Sequence, residues 1–189
     1  MTLPARIGAA LSMVALISGC GIDALAGNPV PAADEIRTGN TPAHSRPREL
    51  KLDNKDPCRL VPTSDWVKFH IEKPGKSERD ESLKSPECLY SNSVGEFDIT
   101  LVVSEDIEAW RSGQRAAKPT EVAAINGFPT ISLRRPEDQI GCAVAVDVAD
   151  GQYLLATVII DSGKDAQLPE HCAYAHQLAE SAMSTLVAS

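Results

Sequence analysis

The hydrophobic positions between residues 87 and 160 predict β-strands. Segment 97–104 alternates apolar with polar or smaller residues, which is the pattern of a strand with one buried face. The apolar positions of that face are Phe97, Ile99, Leu101 and Val103. Segment 87–94 precedes it across Gly95-Glu96, so the two segments predict a hairpin.

Two further hairpins are predicted at Asn126-Gly127 and Asp150-Gly151. Both dipeptides favour two-residue type I′ turns, whose twist matches that of the flanking strands. The flanking segments at the second turn are "CAVAVDVA" and "QYLLATVII". Counting outward from that turn gives the pairs Val148 with Tyr153, Val146 with Leu155, Val144 with Thr157 and Cys142 with Ile159. Both faces of this hairpin are largely apolar, which predicts a central position covered on each side.

The last segment supplies one cover. From Pro169 to about Val187 the apolar residues recur at helical spacing. They are Cys172, Ala175, Ala179, Ala182, Met183 and Leu186. The opposite face must be covered by helical turns near 57–69 or by a short helix at 105–113, and residues 72–86 are predicted to be a charged loop. The pattern therefore predicts a single α+β domain: an antiparallel sheet of about six strands packed with helices, including a C-terminal helix, and two disulfides.

The N-terminal residues have the pattern of an export signal. One basic residue, Arg6, precedes an apolar run that is too short to span a bilayer, and "LISGC" ends it. This ending resembles the lipobox of bacterial lipoproteins, in which the cysteine receives a lipid. We expect residues 1–19 to be a signal peptide, Cys20 to be the lipidation site with acyl chains such as palmitate, residues 20–55 to be a flexible tether, and residues 56–189 to form the domain.

The charge of the chain excludes some partners. Removing residues 1–19 takes away only one charged residue, Arg6, and leaves 17 basic and 26 acidic residues, a net charge of −9. A protein that binds phosphate backbones needs a basic footprint, so nucleic acid is not an expected partner. The expected contact with the membrane is the lipid on Cys20.

The four other cysteines predict two disulfides. In an exported protein, four cysteines allow three connectivities. A zinc site is the alternative, but none of these cysteines forms a close pair such as C-x-x-C. We favour Cys58–Cys88 with Cys142–Cys172, because each pair joins a helical turn to a strand that it should cover. Each bridge would close a loop of about 30 residues and stabilise by about 3–4 kcal/mol.

No motif predicts catalysis, a metal or a cofactor. The nucleophile elbow G-x-S-x-G and a P-loop are absent from the sequence. His171 and His176 lie five positions apart, off a common helical face. The acidic residues near 78–81 and 98–108 have the pattern of solvated surface. Trp66 is expected in the core, whereas Trp110, on a short acidic helix, is a possible partner contact.

Several segments together resemble a known family. They are "DPCRLV", "CLY", "INGFPT", "GCAVAV" and "HCAYAHQLAESAMSTL", in that order after a lipobox and a Pro/Gly-rich spacer. The chain resembles the actinobacterial lipoproteins that carry domain of unknown function 3558, over roughly residues 56–187. It departs at Tyr90, where a tryptophan is commoner, and at Thr130, where alanine is usual. The resemblance implies a lipid-anchored envelope protein and no established activity.

The expected function is a non-enzymatic binding or interaction module. We expect it on the extracytoplasmic face of the cell membrane, where its partner would be another envelope protein or a polymer. The alternative is a carrier that holds a lipid or other apolar ligand between sheet and helix, and a cavity above about 300 Å³ would favour that alternative. A hydrolase with an unrecognised site is the less expected third reading.

Overall fold

The fold is a single antiparallel sheet with one long helix. The computed structural model describes residues 45–134, 141–161, 163–164 and 170–189. The strands are β1 (Lys76–Asp80), β2 (Ser85–Ser91), β3 (Gly95–Val102), β4 (Lys118–Glu121), β5 (Thr130–Arg134), β6 (Gly141–Ala149) and β7 (Gln152–Ile160). Their order across the sheet is β1-β2-β3-β7-β6-β5-β4. The class is α+β, as predicted.

The sheet has seven strands, so the prediction of about six is corrected. The additional strand is β1, "KSERD", inside the segment predicted to be a charged loop at 72–86. It contains no apolar residue and lies at an edge of the sheet, where it pairs only with β2. An edge strand with no buried face has no period-two hydrophobic signal, and its charges suit an exposed edge.

The helices are few, and those before the last are short. Short 3-10 turns span Pro57–Arg59 and Thr63–Asp65, and helix α1 covers only Glu108–Arg111. Helix α2 spans His171–Ala188. The Glu170 carboxylate caps α2 by accepting a hydrogen bond of 3.0 Å from the Ala173 amide, which satisfies one of the free N–H groups of its first turn.

The first face of the sheet, which we define as the face that α2 covers, carries the main core. The turns at 57–69 pack on this same side through Leu60, Val61 and Phe69. They therefore do not cover the opposite face, for which they were one of the two predicted covers. The fully buried residues of α2 in this core include Ala175, Leu178, Ala179, Ala182 and Met183. The small side chains of the three alanines let the helix axis approach the strands closely.

The hairpin of β6 and β7 is confirmed, but its predicted register is wrong by one residue. The structure pairs Val146 with Leu154, and a bulge between Asp147 and Ala149 takes up one residue of β6. Because a shift of one residue moves each side chain to the other face, Tyr153 and the odd-numbered residues that follow it in β7 lie away from α2. The bulge accompanies a turn in which only Gly151 has positive φ, +69°, so the turn is not type I′.

The turn at Asn126-Gly127, by contrast, has the backbone predicted for type I′. Both residues have positive φ, 51° and 82°. The strands that it was expected to join are present as β4 and β5, which pair antiparallel from Lys118 opposite Arg134 to Glu121 opposite Ile131.

The second face, opposite α2, is covered by a crossing connection. After β3 the chain crosses the sheet through residues 103–117, which we call the crossover, to reach β4 at the far edge. Ile107 and Trp110 of the crossover pack on a smaller core that includes Tyr153, Leu155 and Ile131. The prediction that a helix near 105–113 covers this face is confirmed, although the helix itself is short.

Both predicted disulfides are present. Cys58 is bonded to Cys88 and Cys142 to Cys172, with Cα–Cα distances of 4.9 and 5.1 Å. Each joins residues 30 positions apart. The second bond ties the first turn of α2 to the first residues of β6, so it fixes the cover of the first face.

The domain begins before the predicted boundary at residue 56. Within the predicted tether, Leu52 is buried in the main core, and the Leu50 amide donates a 2.8 Å hydrogen bond to the Val148 carbonyl. Arg46 forms a 2.6 Å ion pair with Asp147. The segment 45–55 therefore packs on the domain. Of the helices in the described ranges, none has the length and hydrophobicity that crossing a bilayer requires.

Candidate functional site

A cleft of about 330 Å³ lies on the second face, beside the crossover. It is placed where the crossover covers only part of the sheet, so that strand residues form its floor. The large aliphatic lining residues are Leu83, Leu133, Leu155 and Ile159, and the charged ones are Asp80, Glu87, Asp98 and Arg115. Trp110 forms part of the wall. An apolar cleft with a few convergent polar groups is the usual form of a ligand site.

Asp98 is a buried carboxyl on a central strand. It lies on β3 between Leu89 of β2 and Thr157 of β7, and only 8% of its surface is exposed. The Thr100 hydroxyl donates a 3.1 Å hydrogen bond to it. Burial, followed by the charge of Glu87, raises the pKa of Asp98 to about 8, although hydrogen bonds from Thr100 and Thr157 act in the opposite direction. The carboxyl is therefore mostly protonated at pH 7.

Glu87 and its neighbours add further negative charge. Burial raises the pKa of Glu87, and the charges of Asp80 and Glu78 raise it further. Glu78 lies directly opposite Glu87 in the pairing of β1 with β2. Like charges opposite each other on two strands are destabilising, so this corner of the sheet holds unfavourable electrostatic energy.

A hydrogen-bonded chain fixes the wall of the cleft. The Trp110 indole nitrogen donates to the Tyr153 hydroxyl at 2.9 Å, and that hydroxyl donates to Glu105 at 2.8 Å. Arg115 binds the same carboxylate with both nitrogens, Nε at 3.0 Å and Nη2 at 2.7 Å. Its guanidinium lies 6.0 Å from the centre of the Trp110 ring. The positive charge of Arg115 is thus already matched by Glu105.

Two other concave regions are lined mainly by polar and charged side chains. One of about 470 Å³ lies between the N-terminal segment and α1, where Arg46 pairs with Asp147 and Arg111 with Glu108 at 2.8 Å. Another of about 650 Å³ lies beside the second half of α2, where Ser181 donates a 2.6 Å hydrogen bond to Asp65. Neither has the apolar floor of the cleft on the second face.

The residues singled out in the sequence have different positions in the fold. Trp66 packs against the main core, as expected, and its ring nitrogen donates to the Val61 carbonyl at 3.3 Å. Trp110 is half-buried. Its indole nitrogen donates a hydrogen bond to Tyr153, and its ring lines the cleft. Cys20 lies outside the described residues. The His176 ring nitrogen Nε2 lies 3.2 Å from the Ala123 carbonyl oxygen, to which it donates when it carries the proton. Within the described part of the chain, no group of three or more ligating side chains could hold a metal ion.

Asp98 is the residue that sequence reasoning missed. It belongs to the acidic residues read as solvated surface, and this interpretation is wrong for Asp98, which is buried. Glu105 of the same group is half-buried and bonded to Tyr153 and Arg115. The available signal was the position of Asp98 inside "FDITLVV", a strand whose later residues are apolar on both faces.

Fold and cleft together describe a small disulfide-bonded α+β domain with a candidate ligand site on one sheet face. The family of proteins of unknown function (DUF3558) matches residues 15–185, and the chain belongs to this family. No curated protein matches the chain, and no solved structure matches it.

Proposed function

We propose that the protein is an actinobacterial lipoprotein anchored through a lipid on Cys20 at the extracytoplasmic face of the cell membrane. Residues 1–19 would be removed as a signal peptide, and the segment before residue 45 would be the tether. The proposal is supported by the two disulfides, which together use all four cysteines other than Cys20. Disulfides persist in oxidising compartments, so their presence favours export.

The anchor can be tested by metabolic labelling with an alkyne analogue of palmitate. We expect label on the wild-type chain and none on Cys20→Ser, because the thiol is the attachment point. Ser18→Ala is the matched control, since it keeps a small residue at the cleavage site and should retain the label. Equal labelling of Cys20→Ser would contradict the proposal.

We further propose that the domain is a non-enzymatic binding module whose site is the cleft on the second face. The observation that carries this proposal is the cleft itself, about 330 Å³ with an apolar floor and a wall fixed by the Trp110–Tyr153–Glu105–Arg115 chain. Pre-formed walls reduce the ordering cost of binding. The expected partner, an envelope protein or polymer, stays a prediction.

Native mass spectrometry of the protein purified gently from membranes tests this function. Ile159 is 45% exposed and lines the cleft, so Ile159→Arg should block it without unfolding the domain. Val67 is 86% exposed and follows the turns that pack on the first face, so Val67→Arg is the matched control. We expect a bound mass on the wild type and the control, and none on Ile159→Arg. The same spectrum from all three proteins would contradict the proposal.

A carrier of an apolar ligand is the second candidate. The volume of the cleft, about 330 Å³, favours this candidate. The ligand could not lie between sheet and helix, where it was predicted, because Ala175, Ala179 and Ala182 pack there with no exposed surface. Extraction of a fatty acid or neutral lipid from the native protein would support the carrier. Labelling of a serine by a fluorophosphonate probe would instead support the hydrolase, which has no further support here.

A further inference from the structure

We propose that the cleft on the second face binds a small organic ammonium ion, with its charged group between Asp98 and Glu87 and its apolar part against Leu155 and Ile159. The inference deepens the binding function proposed above and rests on it. It names the class of ligand: a molecule with one cationic nitrogen and a short aliphatic or aromatic body.

The shape and floor of the cleft require an apolar body. Leu133 comes from β5, and Leu155 and Ile159 both come from β7. A volume of about 330 Å³ is at the lower end of the range for small-molecule sites. A ligand of that size gains binding free energy from these side chains only if its apolar part covers them and removes them from water.

The charges of the cleft select a cation. Of its four charged lining residues, three are acidic, and the fourth, Arg115, donates to both oxygens of Glu105. Among the residues that the structure describes, neither Asp98 nor Glu87 takes part in an ion pair. A cation entering between them relieves the repulsion between the carboxyls and supplies the missing partner.

The cation is organic and not a metal ion. In the described ranges, no three carboxylates, histidines or cysteines lie close enough to share a metal ion. Asp80 already accepts a 2.7 Å hydrogen bond from the Leu83 amide, which commits one of its oxygens. An ammonium group needs only two or three acceptors, and Asp98, Glu87 and Thr157 all line the cleft around the middle of β3.

Binding should release a proton. Asp98 faces Glu87 on β2, Asp80 on β1, Thr157 on β7 and Arg115 of the crossover, and its pKa of about 8 keeps it protonated at pH 7. The balanced step is Asp98–COOH plus R–NH₃⁺ giving the Asp98–COO⁻···⁺H₃N–R pair and one H⁺ in solvent. No bond of the ligand is broken.

Isothermal titration calorimetry of the purified full chain in non-ionic detergent tests the assignment. The probe is hexylammonium, and the two comparison ligands of equal length are hexanol and hexanoate, each corrected for a detergent-only titration. We expect saturable binding of hexylammonium with one site and at least about tenfold weaker binding of the two comparison ligands. Glu87→Gln and Asp98→Asn should each weaken hexylammonium binding about tenfold or more.

Glu180→Gln is the matched control, because Glu180 is an exposed carboxylate on α2, across the sheet from the cleft. It should bind hexylammonium as the wild type does. Near-ultraviolet circular dichroism of each variant confirms that loss of binding is not loss of fold. Ile159→Arg, which places a tethered cation beside the carboxyls, should abolish binding.

The proton count gives an independent readout. Titration at pH 7 in phosphate and in MOPS, neither of which is a primary ammonium ion and whose ionisation enthalpies differ, should show a net release of up to one proton per hexylammonium bound. Titration in buffers suited to pH 9.5 should show a smaller release. Asp98→Asn should release none at either pH.

Three results would overturn the inference. Equal affinity for hexanol would show an apolar site and leave the binding function intact. Displacement by Ca²⁺ at equimolar concentration would show a metal site. Tighter binding of a lysine-containing peptide than of hexylammonium would assign the cleft to a partner protein. Failure of the binding function itself is recognised separately, by the absence of any bound mass on the native protein.

Discussion

The two faces of the sheet are built in different ways. The first face is sealed by α2, whose inward residues are small or aliphatic and fully buried, and a disulfide fixes the start of that helix to β6. The second face is crossed by an irregular connection that contacts the strands through Ile107 and Trp110. It also holds a buried carboxyl, Asp98, which is hydrogen-bonded to Thr100 and close to Glu87.

The difference in construction suggests that the first face mainly stabilises the fold and the second face mainly binds a ligand. Small apolar residues close to a sheet allow dense packing, and dense packing tolerates little change. A face that is only partly covered leaves room for a cleft and for polar groups whose electrostatic cost a ligand can relieve. We therefore expect substitutions on the first face to change the free energy of unfolding most, and substitutions on the second face to change binding most.

The largest effect is expected from the disulfide that holds α2. Replacing both Cys142 and Cys172 by serine should lower the free energy of unfolding by about 3–4 kcal/mol, because the unfolded chain loses a constraint on a loop of about 30 residues. Urea denaturation measures the change. Replacing Cys58 and Cys88 is the matched control, since that pair has the same separation of 30 residues and should give a similar loss. A loss below about 1 kcal/mol would contradict the expectation.

A smaller difference is expected between two alanines on opposite faces. Ala179 has no exposed surface between α2 and the sheet, so Ala179→Leu should cost about 1–3 kcal/mol through overpacking. Ala143 is half-buried at the cleft, where Ala143→Leu has room and should cost less than about 0.5 kcal/mol. Thermal unfolding of the two variants gives the comparison, and equal costs would remove the distinction between the faces.

The third effect depends on pH and belongs to Asp98. In the unfolded chain this carboxyl loses its proton near pH 4, but in the folded protein its pKa is about 8. Between these values the folded state binds the extra proton, so the free energy of unfolding falls as the pH rises. Relative to Asp98→Asn, the wild type should lose up to about 1.4 kcal/mol between pH 6 and pH 7. Denaturation of both proteins at several pH values measures the difference, and parallel pH profiles would exclude a raised pKa.

The smallest effect is expected at the wall of the cleft. Trp110→Phe keeps an aromatic ring but removes the 2.9 Å hydrogen bond to Tyr153, which should cost about 0.5–1.5 kcal/mol. The Tyr153 hydroxyl keeps its bond to Glu105, so the fold should persist. Chemical denaturation measures the stability. Trp66→Phe, on the first face, is the matched comparison, because it also removes one tryptophan hydrogen bond, the one of 3.3 Å to Val61. No change in Trp110→Phe would show that the chain of hydrogen bonds does not fix the wall.

Much of the fold could be predicted from the sequence because its signals are local. Hairpins at Asn126-Gly127 and Asp150-Gly151, the alanine stripe of α2 and the pairing of the four cysteines all follow from residues close together in the chain or from their places on predicted elements. β1 could not be predicted, since an edge strand of "KSERD" has no hydrophobic period.

The candidate site depends on strand pairing between residues far apart in the sequence. The bulge at Val148 shifts the pairing of β6 with β7 by one residue, and this shift is what puts Tyr153, Leu155 and Thr157 on the second face. The register predicted from the sequence placed these residues on the face that α2 covers. The burial of Asp98 likewise arises from strands β2 and β7 on either side, which contribute Leu89 and Thr157.

The two outer strands have a consequence for crowding. β1 is built of charged and hydroxyl residues, and β4, "KPTE", contains Pro119, which lacks a backbone N–H. Neither strand offers another copy a clean row of donors and acceptors to extend. Confinement to a bilayer surface would raise the local concentration of such domains greatly, and these strands would keep neighbouring molecules from polymerising edge to edge.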